Sequence, residues 1–357
     1  MTASSTTADW YARAALELAA TSELQVSWAR GVAADPELLE LIDELPREHR
    51  QPSLLFAVAR WCGAPAVAYP AWREFVVAHW DSIGVAAASR RTQTNEVGRC
   101  IPLLVGLSRL AGTNPGPIAL LELGASAGLC LAFDRYAYRF DGGPVLAPSG
   151  RSGAVLLAPS LVPPPQTTHG TYFQECAATP TRMPEIVWRA GVDLAPLDVR
   201  DAGDVRWLEA LLPPDRPARL ARLRAAIATV RDDPPRVVAG DALGSLSAVA
   251  AEARAGAPDA TLVVAILGTA VYLPPADRAA LPDAVAAQGG HLLAFESAAA
   301  LPGIPERLTR MRAAEPSPFV LSLDGEPLAY GSAHGERLSW LSESSPARQP
   351  ELPDSAT

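Results

Sequence analysis

The stretch Leu120-Leu-Glu-Leu-Gly-Ala-Ser-Ala-Gly-Leu129 ends a short apolar run on a glycine turn. Residues 118–123 read as a strand, and a helix is expected over about 128–136. A strand that stops at a glycine turn and opens a helix aims free backbone N–H groups at whatever binds there. Downstream the same alternation repeats. Strands are expected at 187–194, 236–241, 261–267 and 291–296, with helices at 204–212, 219–230, 243–255 and 277–288. The run at 261–267 is apolar throughout, as suits the middle of a parallel sheet. Residues 319–334 read as a hairpin turning at Asp324-Gly325. The fold class is therefore α/β, a Rossmann-like, mostly parallel doubly wound sheet of seven strands closed by an antiparallel hairpin.

Upstream the pattern differs. From about residue 8 to 111 apolar residues recur only at helical spacing, as in Leu38-Leu-Glu-Leu-Ile42 and Leu54-Leu-Phe-Ala-Val58, with Pro36, Pro52 and Pro70 at first-turn positions. The last of these helices is expected to start near Thr94. Gly112-Thr-Asn-Pro-Gly-Pro117 then breaks the chain. The expected organisation is a helical domain over 1–112 and an α/β domain over 113–345, followed by a disordered tail over 346–357. A Pro- and Gly-rich β insertion is expected at about 137–184, with short runs at Val145-Leu146 and 154–158 and a loop at Pro163-Pro-Pro165.

Three chemistries use a strand–glycine–helix turn. A dinucleotide fingerprint wants glycine at 126 and 129, where serine and leucine stand. A nucleophile elbow, G-x-S-x-G, fits with Ser126 as nucleophile, and a formal triad Ser126, Asp241, His334 can be written. That class needs earlier strands and an oxyanion loop, and the preceding residues read as helices. The third pattern is that of S-adenosylmethionine (SAM) binding, acidic-x-Gly-x-small-x-Gly, filled by Glu122, Gly124, Ser126 and Gly128. Two later strand ends suit it. Asp193 could take both ribose hydroxyls, and Asp241 an adenine amino group; either alone reads more readily as a cap or turn residue than as a ligand, and the three strand ends in a row make the stronger case. The expected cofactor residues are Glu122, Gly124, Ala125, Ser126, Gly128, Asp193, Leu194, Asp241 and Ala242. The polar stretch Arg90-Arg-Thr-Gln-Thr-Asn-Glu-Val-Gly-Arg99 reads as a helix cap or as substrate contacts through Thr94, Asn95, Glu96 and Arg99. Glu296 and Tyr272 are the candidate catalytic side chains, with capping and packing as their plainer roles.

The chain resembles an uncharacterised bacterial family of unknown function related to SAM-dependent methyltransferases. The resemblance rests on Gln93-Thr-Asn-Glu-Val-Gly-Arg99, Leu121-Glu-Leu-Gly-Ala-Ser-Ala-Gly128, Gly191-Val-Asp-Leu-Ala-Pro-Leu-Asp198 and Arg206-Trp-Leu. It implies a methyltransferase-like fold without an established substrate. The sequence departs from the family pattern at Cys130, where Asn is expected, and at Leu267-Gly-Thr269, where a polar residue, often His, is expected.

Composition narrows the alternatives. The 357 residues contain no lysine, all 30 basic residues being arginine, which excludes a Schiff-base lysine enzyme and a Walker A loop. The net charge of −9 argues against a nucleic-acid partner. Cys62, Cys100, Cys130 and Cys176 form no CxxC pair, so neither a zinc site nor a disulfide framework is expected, and no metal is. The start, Met-Thr-Ala-Ser-Ser-Thr-Thr, carries no basic and apolar leader pattern, and the apolar run at 260–273 falls short of the roughly 20 residues that span a membrane. The expectation is a cytoplasmic protein using SAM on a small-molecule substrate. A serine esterase and a non-catalytic SAM-binding protein are the alternatives.

Overall fold

The computed structural model describes residues 6–148, 155–163 and 179–343. The expected loop at 163–165 is covered only at Pro163. Cys176, the extreme N-terminus and the tail at 346–357 lie outside the described residues, as do parts of the insertion.

The helices in chain order are α1 (Thr7–Glu17), α2 (Glu23–Ala33), α3 (Pro36–Asp43), α4 (Pro52–Trp61), α5 (Tyr69–Ala78), α6 (Trp80–Ser89), α7 (Cys100–Thr113), α8 (Ala202–Leu211), α9 (Pro217–Val230), α10 (Ala242–Gly256), α11 (Pro275–Ala286) and α12 (Ile304–Leu308). Contacts group the chain into two units, 1–95 with 197–234, and 96–196 with 235–357. The contact boundary thus falls ahead of residue 112. It places α7 with the sheet, and α8 and α9 with the N-terminal helices.

In the helical unit the starts follow from capping chemistry. Thr6 and Asp9 form a reciprocal capping box, Ser22 takes the Gln25 N–H, and Asp35 takes the Leu38 N–H ahead of Pro36. The core is aromatic. Trp28 stacks on Trp72 with ring centroids 5.0 Å apart, and Phe56 packs edge-on against both. Arg90 lies between the rings of Trp61 and Trp207, 4.0 and 4.7 Å from their centroids.

The second unit is built on strands β1 (Ile118–Leu123), β2 (Ala137–Arg139), β3 (Val145–Leu146), β4 (Leu156–Leu157), β5 (Ser160–Val162), β6 (Ile186–Asp193), β7 (Val237–Ala239), β8 (Thr261–Leu267), β9 (His291–Ser297), β10 (Met311–Arg312), β11 (Phe319–Leu323), β12 (Glu326–Gly331), β13 (Arg337–Trp340) and β14 (Ser342–Glu343). The main sheet has nine strands in the order β5-β13-β12-β11-β9-β8-β1-β6-β7, where seven were expected. From β7 to β9 every pair is parallel. In sequence order these five strands lie 3-2-1-4-5, the arrangement of a doubly wound open sheet with its switch point between β1 and β8. The hairpin β11–β12 turns at Asp324 and Gly325, both at positive φ, 51° and 78°, as the sequence suggests. Beyond it, β13 pairs with β12 and β5 returns from the insertion to close the far edge. Backbone pairing at that distance leaves no periodic signal in either segment.

Both faces of the central strands are covered, which explains their continuous apolar runs. Leu121, Leu123, Val264, Ile266, Leu292 and Ala294 share a core with Leu246 and Val249 of α10 and Leu281 and Val285 of α11. On the other face, Gly106 of α7 lets the helix approach Leu293, where a Cβ would lie 2.5 Å from its Cδ1. Accordingly α7 is buried nearly all round.

Two local expectations fail. The segment before α7 is not helical from Thr94, because a 3-10 turn at Val97–Arg99 precedes a helix that begins at Cys100. Glu96 caps that turn by accepting the Gly98 N–H. Nor does an α-helix open at Gly128; a six-residue 3-10 segment, Cys130–Arg135, takes its place and is broken at Ala132. Side chains from elsewhere capture the carbonyls a helix would use. Tyr136 Oη donates to Leu129 O, Arg189 Nη1 to Leu131 O and Tyr138 Oη to Phe133 O, at 2.9, 2.7 and 2.7 Å.

Candidate functional site

Open α/β sheets bind ligands outside the carboxyl ends of their strands, beside the switch point. At that edge the second unit collects Glu122 and the glycine loop after β1, Asp193 ending β6, Asp241 after β7, Gly268-Thr269 after β8 and Glu296 near the end of β9.

The loop alternates between ordinary and left-handed backbone: Gly124, Ser126 and Gly128 have φ of 76°, 53° and 72°. Serine in this region is strained, which residues at functional turns tolerate. The loop amides are largely committed. Gly124 N and Ala125 N donate to Val192 O at 2.8 and 3.2 Å, Ser126 N to Asp193 Oδ2 at 2.8 Å and Gly128 N to Ala125 O at 2.7 Å. The expectation of free N–H groups at a helix start is therefore corrected: these donors close the loop onto β6. The packing is as tight as the bonding. A Cβ at Gly124 would lie 2.3 Å from Thr269 Cγ2 and Oγ1, and one at Gly191 would lie 2.4 Å from Ala125 Cβ. Ser126 is itself buried, 3% exposed.

Asp193 holds this loop. One carboxylate oxygen takes the Ser126 N–H and the other the Ala195 N–H, at 2.8 and 3.0 Å. Asp241 caps α10 by accepting the Gly244 N–H at 2.8 Å, with Ala242 buried just inside the helix. Asp241→Ala is expected to lower stability by about 1 kcal/mol, the usual worth of such a cap, measured as a shift of the urea midpoint.

Two glutamates stand apart because their outer oxygens are unsatisfied. Glu122 points from the middle of the sheet, flanked in register by Gly191 and Ala265, and is 3% exposed. Its Oε2 has no hydrogen-bond partner. Burial pushes its carboxyl well above the usual range; Cys130 and Asp193 push the same way and Arg99 opposes them. Glu296 is 2% exposed, and its Oε1 accepts the Thr269 and Ala270 N–H groups at 2.7 and 3.0 Å while Oε2 is left without a partner. Burial lifts its pKa to about 7, with those N–H groups and Arg99 pulling it down. The capping role weighed in the sequence is thus present, together with an oxygen that remains available.

Arg99 faces both acids electrostatically, yet its contacts are with backbone. Nη1 donates to Leu267 O at 2.6 Å and Nε to Ala333 O at 3.2 Å, and the guanidinium lies over the Phe319 ring. It clamps the end of β8 to the loop after β12. The remaining expected residues scatter. Thr94 is exposed and Asn95 buried, both in the helical unit; Tyr272 and Leu194 are 57% and 64% exposed. Thr269, which packs on Gly124 and donates to Glu296, has no counterpart in the sequence reading, since its role arises only when β8 is set beside β1. Of the formal triad, Asp241 is occupied as a cap and the His334 carbonyl packs against Gly98.

Residues 8–340 match the family described as an uncharacterized protein conserved in bacteria, DUF2332. The chain belongs to this family. No curated protein and no solved structure matches it. Among the described residues no helix is long and apolar enough to cross a membrane, and no three His, Cys, Asp or Glu side chains are grouped to hold a metal ion.

Proposed function

We propose that the carboxyl edge of this sheet binds SAM and that the protein transfers its methyl group to a small-molecule acceptor. The observation that carries the reading is the orphaned Oε2 of Glu122, buried beside the glycine loop at the switch point. A buried carboxyl oxygen without a partner is costly, and a ligand ammonium such as that of the methionine moiety would satisfy it. Asp193 ends β6, where a carboxylate suits ribose hydroxyls, and Asp241 stands at the next strand end for the adenine. When bound, SAM supplies an electrophilic methyl group on a sulfonium. The chain's task is then chiefly to orient the two reactants and exclude water. Glu296, buried and titrating near neutrality, is suited to take a proton from an acceptor hydroxyl or amine.

The test is calorimetric titration with SAM and S-adenosylhomocysteine, with NAD as control. Micromolar binding of both adenosyl ligands, weakened at least tenfold in Glu122→Gln and absent for NAD, is the expected result. No heat with either adenosyl ligand would overturn the reading. A second reading draws on the φ of 53° at Ser126, the strained geometry of a serine nucleophile on a turn. Labelling of the wild type by a serine-directed phosphonate, lost in Ser126→Ala, would favour that esterase over the methyltransferase. Binding of SAM without turnover on any acceptor would instead mark a non-catalytic SAM-binding protein.

A further inference from the structure

The turn that follows β8 starts with Gly268 at φ 74°, and its next two amides, those of Thr269 and Ala270, both donate to Glu296 Oε1, at 2.7 and 3.0 Å. Arg99 occupies the side of this turn where a larger residue would project. A Cβ at Gly268 would lie 2.2 Å from Arg99 Nη1 and 2.4 Å from its Cζ. The same Nη1 donates to Leu267 O, the carbonyl just ahead of the turn, at 2.6 Å. Nε reaches Ala333 O, and the Phe319 ring centroid lies 5.6 Å from Cζ. These contacts fix one guanidinium against the backbone that presents donors to Glu296. Arginine suits the place because its planar fork serves several directions at once and never loses its charge.

We infer that Arg99 is a positioning residue for Glu296: it holds the turn that grips the carboxylate and, as a fixed cation, sets the pH above which that carboxylate is ionised. The inference rests on the reading of Glu296 as the proton acceptor of the site and gives that role a pH window. A fully buried glutamate can keep its proton to about pH 8–9. Here burial raises the carboxyl, and the Ala270 and Thr269 amides, the Arg99 charge and the Gly268 amide draw it back to about 7. Glu96 and Cys100 beside the start of α7, Tyr272 after β8, Asp277 and Arg278 at the start of α11 and His334 after β12 are the other ionisable groups on the surrounding elements. Arg99 is the charged side chain that acts on the carboxyl, and Glu122 faces the same cation.

The experiment is urea unfolding of the full chain at half-unit steps from pH 5 to 9.5, for wild type, Arg99→Gln and Arg99→Lys, each with and without Glu296→Gln. Subtracting the Glu296→Gln partner isolates the pH dependence that belongs to Glu296 and removes the share of Glu122. In the wild type that part is expected to fall with rising pH and level off above about 7. Without the cation the proton is bound more tightly, so in Arg99→Gln the fall should run on to about one unit higher. Arg99→Lys restores the charge without the fork and should bring the levelling point back toward that of the wild type. Both variants should also unfold at lower urea at every pH, because carbonyl bonds are lost. An arginine with a structural role alone would give that uniform loss and nothing else. The wild-type levelling point in Arg99→Gln would overturn the inference, as would an equal displacement in Arg99→Lys. Failure of SAM to bind would instead overturn the methyltransferase reading and leave this levelling point where it is.

Discussion

Replacing Glu296 by glutamine will flatten the pH dependence of stability between pH 4.5 and pH 7. Burial raises the folded-state pKa of this carboxyl from 4.5 to about 7, so the folded chain holds the proton more tightly than the unfolded one. The stability it contributes is complete below pH 4.5 and is lost as pH rises through 7. The span corresponds to about 3 kcal/mol. Glutamine keeps an oxygen for the Thr269 and Ala270 N–H groups but cannot ionise. Urea unfolding at half-unit steps from pH 4 to 9 should show the wild type losing up to about 3 kcal/mol relative to Glu296→Gln as pH rises from 4.5 through 7, so that the two curves separate at high pH. Glu122 acts in the same direction, so a residual decline remains in the variant. Parallel curves would contradict the placement of an ionisable, desolvated carboxyl at the end of β9.

Gly124→Ala is the second large effect, with an expected loss of about 2–4 kcal/mol. Two costs add. The backbone sits at φ 76°, where a Cβ is strained, and the new methyl would lie 2.3 Å from the Thr269 side chain and 2.7 Å from its Cβ. The Thr269 Cβ cannot rotate away. Gly289 provides the control, with φ 65° and nothing within 4 Å of an added Cβ. Gly289→Ala should show only the conformational share, about 1 kcal/mol. Equal losses at the two positions, read from urea midpoints, would show that the contact between the β1 and β8 loops does not limit the packing.

The contrast between these glycines shows what a single sequence carries. Local chemistry was legible: the apolar run of β1, the all-apolar β8, the Asp324-Gly325 turn and the Pro-led helices all appear where their residues require. Legibility ended where distant groups intervene. The helix expected at Gly128 is displaced because Tyr136, Tyr138 and Arg189 take its carbonyls. Likewise β13 and β5 extend the sheet through backbone pairing alone. Within the site, the acidic strand ends were identifiable by type, but their work was not. Asp193 and Asp241 spend acceptor capacity on backbone N–H groups, whereas Glu122 and Glu296 each retain an unsatisfied oxygen, a difference that only burial and geometry reveal.

The central claim is that Glu122 meets a ligand ammonium, and proton counting tests it most directly. Burial favours the protonated form of this carboxyl, whereas pairing with an ammonium favours the ionised form, so binding is expected to release proton. Calorimetric titration of SAM at pH 7 in two buffers of different ionisation enthalpy is therefore expected to give different heats, as the buffer takes up what is released. That difference should disappear in Glu122→Gln. Equal heats in the two buffers for the wild type, or the same release in the variant, would contradict the account.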